Sequence, residues 1–516
     1  MTKKSYIVRI AAIVALGGFI LGFDASVISG ALKFVESEFS LNDIQIGWLV
    51  SSITLTAALG TLIAGPLSDK YGRRLVLKYA AIFFIVSALG SAMADSFTTL
   101  IIARLLGGFS VGAALIIAPV YIAEVSPPES RGQMVSFNQL NIVIGLSSAF
   151  FTNYLILKLG QSNLDWALAL GMDKWNWRWM LGLEAFPAIL YYFGLFFVPR
   201  SPRWLTMNGL VPQALKVLHR FNSSTYADRQ IETIRSSLQE NNEKVDFREL
   251  FKKSMRLVLT IGLVVAIFQQ LVGINSVIFY APMIFELTGI STDASFLQAI
   301  LVGLVNLVFT VVAMLFIDKL GRKPLLVTGM AGMAVCLFVL VFGFKSATYS
   351  IDDKSFSNLP PEINREALFP LMNKTFENDL EYKSAVKQAL GIEMAGKYEA
   401  ALVTAAARIN TTLILIGILG FVSFYAFSIG PVMWVLFSEL FPNRIRGIAI
   451  SFVGLINLII AFLVQLIFPW QLANLGNVTT FTIYGTFAII GLLFVLSKVP
   501  ETKGKSLEEL EAHLVS

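Results

Sequence analysis

The chain has 516 residues, of which 56% are apolar and only 14% charged, with a mean hydropathy of +0.71 and a formal net charge of +6. That composition excludes a soluble globular domain and places the chain in a bilayer, where an open sheet is excluded because its backbone would go unsatisfied. The basic residues are spread over separate short loops, so the charge implies no nucleic-acid partner, and the single cysteine, Cys336, sits in an apolar run as a small core residue.

A spanning helix needs about 20 mostly apolar residues, and the sequence supplies roughly twelve such runs. In chain order they are predicted over about 7–31, 45–66, 76–95, 97–123, 134–158 and 177–198. After a polar stretch they resume over about 256–286, 295–317, 325–344, 409–438, 448–470 and 478–498. The expected fold class is an all-α integral membrane protein of twelve transmembrane helices. Residues 1–198 form one six-helix bundle and 256–498 a second, with a cytoplasmic linker at 199–255 and a tail at 499–516. In the linker, Leu215, Leu218 and Phe221, then Ile231, Ile234 and Leu238, fall at helical spacing and mark amphipathic helices. In the tail, Ser506 with Glu509 reads as a capping box opening a short last helix. Lys3, Lys4 and Arg9 flank the first span, and basic residues such as Arg73, Arg131, Arg203, Arg322 and Arg446 recur after every second span. This bias puts both termini on the cytoplasmic side of a plasma or inner membrane. No removable signal peptide is expected.

Two charged segments occur twice. Asp69-Lys-Tyr-Gly-Arg73-Arg74 returns as Asp318-Lys-Leu-Gly-Arg322-Lys323, and Glu124…Arg131-Gly132 returns as Glu439…Arg446-Gly447. The halves are therefore a duplication related by pseudo-symmetry, and the function is expected between them. The second motif pair is displaced by about 66 residues more than the first, which exposes a polar insertion at 345–408 on the extracellular side, read as a surface excursion or a lid. The stop signal also repeats: Val-Pro-Arg-Ser-Pro-Arg at 198–203 echoes Val-Pro-Glu-Thr-Lys-Gly at 499–504.

With these segments the chain resembles the sugar porters of the major facilitator superfamily over nearly its whole length. The ordered set is Gly22-Phe-Asp24…Ile28-Ser-Gly30, the two Asp-Lys-x-Gly-Arg loops, Arg131-Gly132, Pro-x-Ser-Pro-Arg, Gln269-Gln270-x-x-Gly-Ile-Asn275, Gly430-Pro-x-x-Trp434 and Pro500-Glu-Thr-Lys-Gly504. It is most similar to bacterial proton-coupled xylose-type symporters, because facilitative glucose carriers have an amide where this chain has Asp24. Two departures stand out. Arg200 replaces the usual acid in the Pro-Arg-Ser-Pro-Arg loop, and Leu458 stands beside Asn457 where many members have a tryptophan.

Asp24 is a carboxyl inside an apolar span, where the neutral form competes with the charged one, and it is the proton-site candidate. Arg104 in span 4 is a permanent cation, and the resemblance implies that it pairs with Asp24, with Glu184 of span 6 as a third, auxiliary member. The bland alternative is a static pair that fixes helix register. The two histidines, His219 and His513, fall in cytoplasmic segments and leave coupling to the carboxyls. Gln139, Gln269, Gln270, Asn275, Asn306 and Asn457 are amides in apolar spans; amides both donate and accept, which suits a neutral hydroxyl-rich ligand better than an ion. Each alone could be an interhelical packing bond. Trp434 and Phe23 would line the sugar with apolar faces. The resemblance makes Phe279 and Tyr280 gate residues, and Gly430-Pro431 interrupts span 10 as a hinge. Asp69, Arg73, Arg74, Glu124 and Arg131, and in the second half Asp318, Arg322, Glu439 and Arg446, form charge networks at the cytoplasmic ends.

The expected function is secondary active import of a pentose or hexose with a proton by alternating access. A facilitative uniporter or a transporter-like sugar receptor is the alternative. No nucleotide loop, metal-ligand cluster or nucleophilic triad occurs in the sequence, so neither catalysis, cofactor nor metal is expected, and the chain is expected to work as a monomer.

Overall fold

The computed structural model describes residues 3–126, 131–221, 224–240, 247–353, 356, 359–360, 362–442, 444–505 and 509–511. Span 1 is Lys3–Phe39, span 2 Asp43–Tyr71, span 3 Arg73–Ala92, span 4 Phe97–Val125 and span 5 Arg131–Gly160, while span 6 has two pieces, Asn176–Gly182 and Ala185–Gly194. Span 7 has three pieces, Arg256–Leu271, Ile274–Phe279 and Ala281–Glu286. Span 8 is Thr292–Leu320, span 9 Arg322–Lys345, span 10 the pair Thr411–Phe427 and Ile429–Leu440, span 11 Arg446–Asn474 and span 12 Gly476–Lys498. Among the described residues eleven helical stretches are long and apolar enough to cross a membrane; span 6, broken into two short pieces, is not among those eleven.

The breaks were not evident as such from hydropathy, yet they have a common cause. A proline ring collides with the carbonyl four residues earlier. Pro187, Pro282 and Pro431 thus disturb Leu183, Ile278 and Phe427, at or next to where the preceding pieces end. Gly273, at a φ of +84°, adds the second break in span 7. The span ends are set locally. Asn42 with Gln45 makes a capping box for span 2, and Ser96 with Thr99 makes one for span 4. Gly72 and Gly321, the glycines of the duplicated loops, have φ of +92° and +95°, a conformation that side chains with a Cβ rarely adopt; this is why both copies keep glycine.

The linker forms helices Pro202–Met207, Val211–Phe221 and Ser224–Glu240, with Leu218 and Ile231 buried as their spacing predicts. Ser506 lies outside the described residues, so the tail's capping box does too, although Leu510 is buried. The insertion closes at its base through antiparallel strands Thr348–Tyr349 and Ala407–Arg408. It carries helices Asp379–Leu390, Ile392–Lys397 and Glu399–Ala406 and a core of its own around Tyr349, Ile351, Tyr382, Val386 and Leu402.

Twelve crossings put both termini and the linker at one end, the terminal end, and the insertion at the other. At the insertion end the apolar core is continuous across the halves, joining Val27, Leu32, Ile46, Leu146 and Phe150 to Ile278, Phe285, Phe296 and Phe468. At the terminal end the first half has a separate core of Val14, Ala57, Leu77, Ile117, Tyr121 and Tyr191. Polar contacts follow the same division. Lys33 Nζ donates to Glu286 at 2.8 Å and to Thr292 at 2.6 Å, and Asp293 accepts from Lys158 at 2.6 Å and Gln161 at 2.9 Å. Nearer the middle, Ser147 donates to the Gly303 carbonyl at 2.8 Å and Thr54 to Gln465 at 3.0 Å. A Cβ on Gly47 would run into the carbonyl of Leu466, so spans 2 and 11 touch backbone to backbone. Among the described residues, the contacts between the halves gather at the insertion end and the middle, while the first half's terminal-end core is separate.

Candidate functional site

Spans 1, 4 and 6 bring Asp24, Arg104 and Glu184 together, each at most 3% exposed. Arg104 Nη1 stands 3.9 Å from Asp24 Oδ1, within ion-pair range but too far for a hydrogen bond. Arg104 Nε donates instead to the Leu49 carbonyl of span 2 at 2.8 Å. Asp24 Oδ2 and Glu184 Oε1 are buried without a donor from another residue, and the two carboxyls stand within hydrogen-bond reach of each other. Glu184 occupies the break made by Pro187 and lies within electrostatic reach of both other groups. Gly107 makes the room: a Cβ there would collide with Ser87 Oγ and stand 3.5 Å from Asp24 Oδ2.

The second half contributes a hydrogen-bonded set of four amides. Asn275 Nδ2 donates to Gln270 at 2.8 Å, and Gln270 Nε2 donates to Gln269 at 3.2 Å and to Asn457 at 3.1 Å. Asn457 Nδ2 donates to Gln269 at 2.7 Å and to the Ala266 carbonyl at 2.8 Å. The left-handed turn at Gly273 lets Asn275 fold back on Gln270 across the break in span 7. Asn306, buried in span 8, makes none of these bonds, and neither do Gln139 and Trp434. Gln139 is exposed, whereas its neighbour Asn138 is buried against Gly18 with its carbonyl oxygen unpartnered, a residue the sequence reading passed over. Trp434 is 41% exposed and rests edge-on against Phe437. Phe23 is buried and stacked with Phe19.

Of the expected gate residues, Tyr280 is fully buried, donating to the Gln465 carbonyl at 2.9 Å and packing on Phe468, while Phe279 is half-buried. The interruption of span 10 lies at Ser428, two residues before Gly430 and next to Phe427, whose carbonyl the Pro431 ring displaces.

The terminal-end networks are built alike in the two halves. Arg73 pairs with Asp69 at 2.8 Å and Glu124 at 3.1 Å; Arg322 pairs with Asp318 at 3.0 Å and Glu439 at 2.7 Å. Each glutamate also accepts from a hydroxyl of the repeated stop signal, Ser201 in one half and Thr502 in the other. That role of the hydroxyls was missed, although the repeated motif signalled it. Where the second half places Glu501 on the backbone N–H groups of Arg322 and Lys323, both at 3.1 Å, the first half has the Trp204 ring against Gly72 and Arg200 beside it. Arg74 and Arg446 depart from the expected ion pairs. Arg74 donates to the carbonyls of Leu195 and Phe196, and Arg446 to that of Phe441, backbone acceptors at nearby helix ends. Arg131 opens span 5, and its side chain lies outside the described residues.

The inter-half pairs Lys33–Glu286 and Lys158–Asp293 were also missed. Their lysines lie at span ends, where a positive charge reads as a topology signal.

The profile of the Sugar (and other) transporter family matches residues 10–359 and 384–514. The chain is similar to the arabinose-proton symporter of Bacillus subtilis, 34% identical over 99% of this chain and 95% of the relative. It is likewise similar to the partially occluded, inward-open structure of the xylose transporter XylE from Escherichia coli, with a TM-score of 0.74 and 31% identity over 97% of this chain and all of that one. Against the proton:xylose symporter XylE bound to 6-bromo-6-deoxy-D-glucose the TM-score is 0.70, with 32% identity over 99% of this chain and all of that one.

Proposed function

We propose that this chain, which belongs to the Sugar (and other) transporter family, imports a pentose or hexose together with a proton by alternating access. The observation that carries the reading is the buried trio: two carboxyls beside one guanidinium hold a net negative charge that one proton cancels, in a setting where uncompensated charge is costly. The four-amide set of the second half offers donors and acceptors to a neutral polyhydroxyl ligand. Symport named for relatives at 34% identity over nearly the whole length supports the same assignment.

In this reading the six-helix halves 1–198 and 256–498 rock about the midplane, the terminal end is cytoplasmic and the insertion end faces out. Asp24, Arg104 and Glu184 take the proton. Gln139, Gln269, Gln270, Asn275, Asn306, Asn457, Phe23 and Trp434 receive the sugar, and the broken spans 7 and 10 supply the moving parts. The separate terminal-end core and the likeness to an inward-open relative support reading the conformation as inward-facing. A single chain contains both sites, so the monomer is the transporting unit.

The test is sugar-induced pH change in an unbuffered suspension of de-energised cells making the protein, across xylose, arabinose, glucose, galactose, fructose and inositol. Alkalinisation with one sugar supports symport and identifies the substrate. Silence across the panel, with exchange of a radiolabelled sugar, makes the protein a uniporter and Asp24 a structural residue.

A further inference from the structure

Spans 2, 7 and 11 meet at one residue that neither the buried trio nor the amide set uses. Span 11 runs unbroken from Arg446 to Asn474 through Pro469. A proline has no N–H to give, so the carbonyl four residues earlier, that of Gln465, loses its helical donor in a residue only 1% exposed. A carbonyl left bare in such a place is costly. The hydroxyl of Tyr280 takes the missing donor's place: it bonds to the Gln465 carbonyl at 2.9 Å, and its ring packs on Phe468 with 5.1 Å between centroids.

The side chain of the same residue reaches the first half. Gln465 Oε1 accepts the Thr54 hydroxyl of span 2 at 3.0 Å. Around that bond the two spans are closely packed: a Cβ on Gly47 would meet the Leu466 carbonyl, and Trp48 stands edge-on to Phe462 at 5.5 Å. On the same stretch of span 2 the Leu49 carbonyl takes Arg104 Nε at 2.8 Å. The part of span 2 that docks on span 11 is therefore also the part that the trio's arginine holds.

We infer that Gln465 is a positioning residue that clasps the outer gate to the first half: its carbonyl seats Tyr280 of span 7, its side chain holds Thr54 of span 2, and the gate's seating and the halves' docking become one event. The Tyr280 bond lies within the second half and the Thr54 bond crosses between halves, so the gate is tied to span 2 only because one residue makes both. Both bonds are fixed to one point of one helix, and a shift of span 11 away from span 2 strains them together. The clasp rests on the alternating-access reading, and its test separates the two.

The experiment uses the full chain in proteoliposomes with Cys336→Ser and Ser147→Cys as the parent. The new thiol lies in the seam of spans 5 and 8, where Ser147 bonds to the Gly303 carbonyl, on different spans from the residues varied. Its rate of alkylation by an impermeant maleimide from the insertion side reports opening. Thr54→Val and Tyr280→Phe should each raise that rate roughly fivefold, the worth of one hydrogen bond, and Gln465→Leu should raise it as well. Thr54→Ser keeps the hydroxyl and should label at the parent rate. Thr54→Val combined with Gln465→Leu should label no faster than the faster single variant, because both remove the same bond. A parent rate in Tyr280→Phe, a Thr54→Ser as fast as Thr54→Val, or effects that multiply in the double variant would overturn the clasp. General loosening of the fold cannot imitate the expected pattern, since it would accumulate in the double variant. Labelling of this pattern without sugar-induced proton uptake by the wild type would leave the clasp standing and remove the symport reading; flat labelling with that uptake intact would do the reverse.

Discussion

Asp24 keeps one oxygen 3.9 Å from Arg104, beyond hydrogen-bond range, and lies within hydrogen-bond reach of Glu184. A proton added there removes a charge and supplies a donor, which is the change a coupling site must register. Asp24→Asn fixes that neutral form, and it is expected to abolish accumulation of sugar against a gradient while sugar exchange persists; uptake and counterflow in the same proteoliposomes measure both. In the amide set, Asn275→Ala leaves Gln270 Oε1 without its donor and removes one bond to a ligand. At about 1 kcal/mol per hydrogen bond to a neutral partner, sugar Kd should rise roughly fivefold, and unchanged affinity in this variant and in Gln270→Ala would exclude the set as the pocket. These residues were legible because an acid or amide in an apolar run is conspicuous. What the sequence did not disclose is facing: Gln139 and Asn138 are neighbours about 100° apart on a helix, and hydropathy alone does not say which one is buried.

The broken spans show what local chemistry does to a membrane helix. Hydropathy counted span 6 as continuous, since Pro187 changes the average little, but the ring frees backbone at Leu183 and leaves Glu184 at the break beside Asp24. The capped loops tell the complementary story. Burial pushes Glu501 up, but the N–H groups of Lys503, Arg322, Lys323 and Thr502 pull it further down, and it settles below the ordinary 4.5. A depressed carboxyl contributes stability that is complete above its unfolded value and lost as pH falls through the folded one. Glu501→Gln should therefore lower the unfolding temperature at neutral pH, with a difference from wild type that shrinks once the pH drops below about 4.5; a constant difference would show that the cap's charge contributes nothing. At the seam of spans 2 and 11, Gly47→Leu places a side chain where the Leu466 carbonyl lies, so the insertion end can no longer close. That variant should bind sugar from the insertion side and fail to transport it, and transport at the wild-type rate would mean that the seam opens further than its packing implies.

At the scale of the molecule, duplication was readable from two loops, and the structure gives each loop the same job: an arginine clamped by an aspartate, a glutamate and a hydroxyl-bearing stop signal. The conformation was not readable, because which end is closed depends on contacts between residues far apart in the chain, such as Thr54 with Gln465. Among the described residues the polar contacts at that seam are few, and a partly exposed ion pair contributes about 0–1 kcal/mol, so they add little to the apolar packing that opening must undo. The energy for accumulation must then come from the proton gradient. One charge crossing about 100 mV releases roughly 2.3 kcal/mol, which at about 1.4 kcal/mol per tenfold supports a sugar gradient near fiftyfold with no pH difference. Proteoliposomes with an imposed potassium diffusion potential of about that size should approach this ratio if one proton accompanies each sugar. Equilibration without accumulation would mean that the buried trio releases no proton to the far side, and the halves would then be rocking without coupled work.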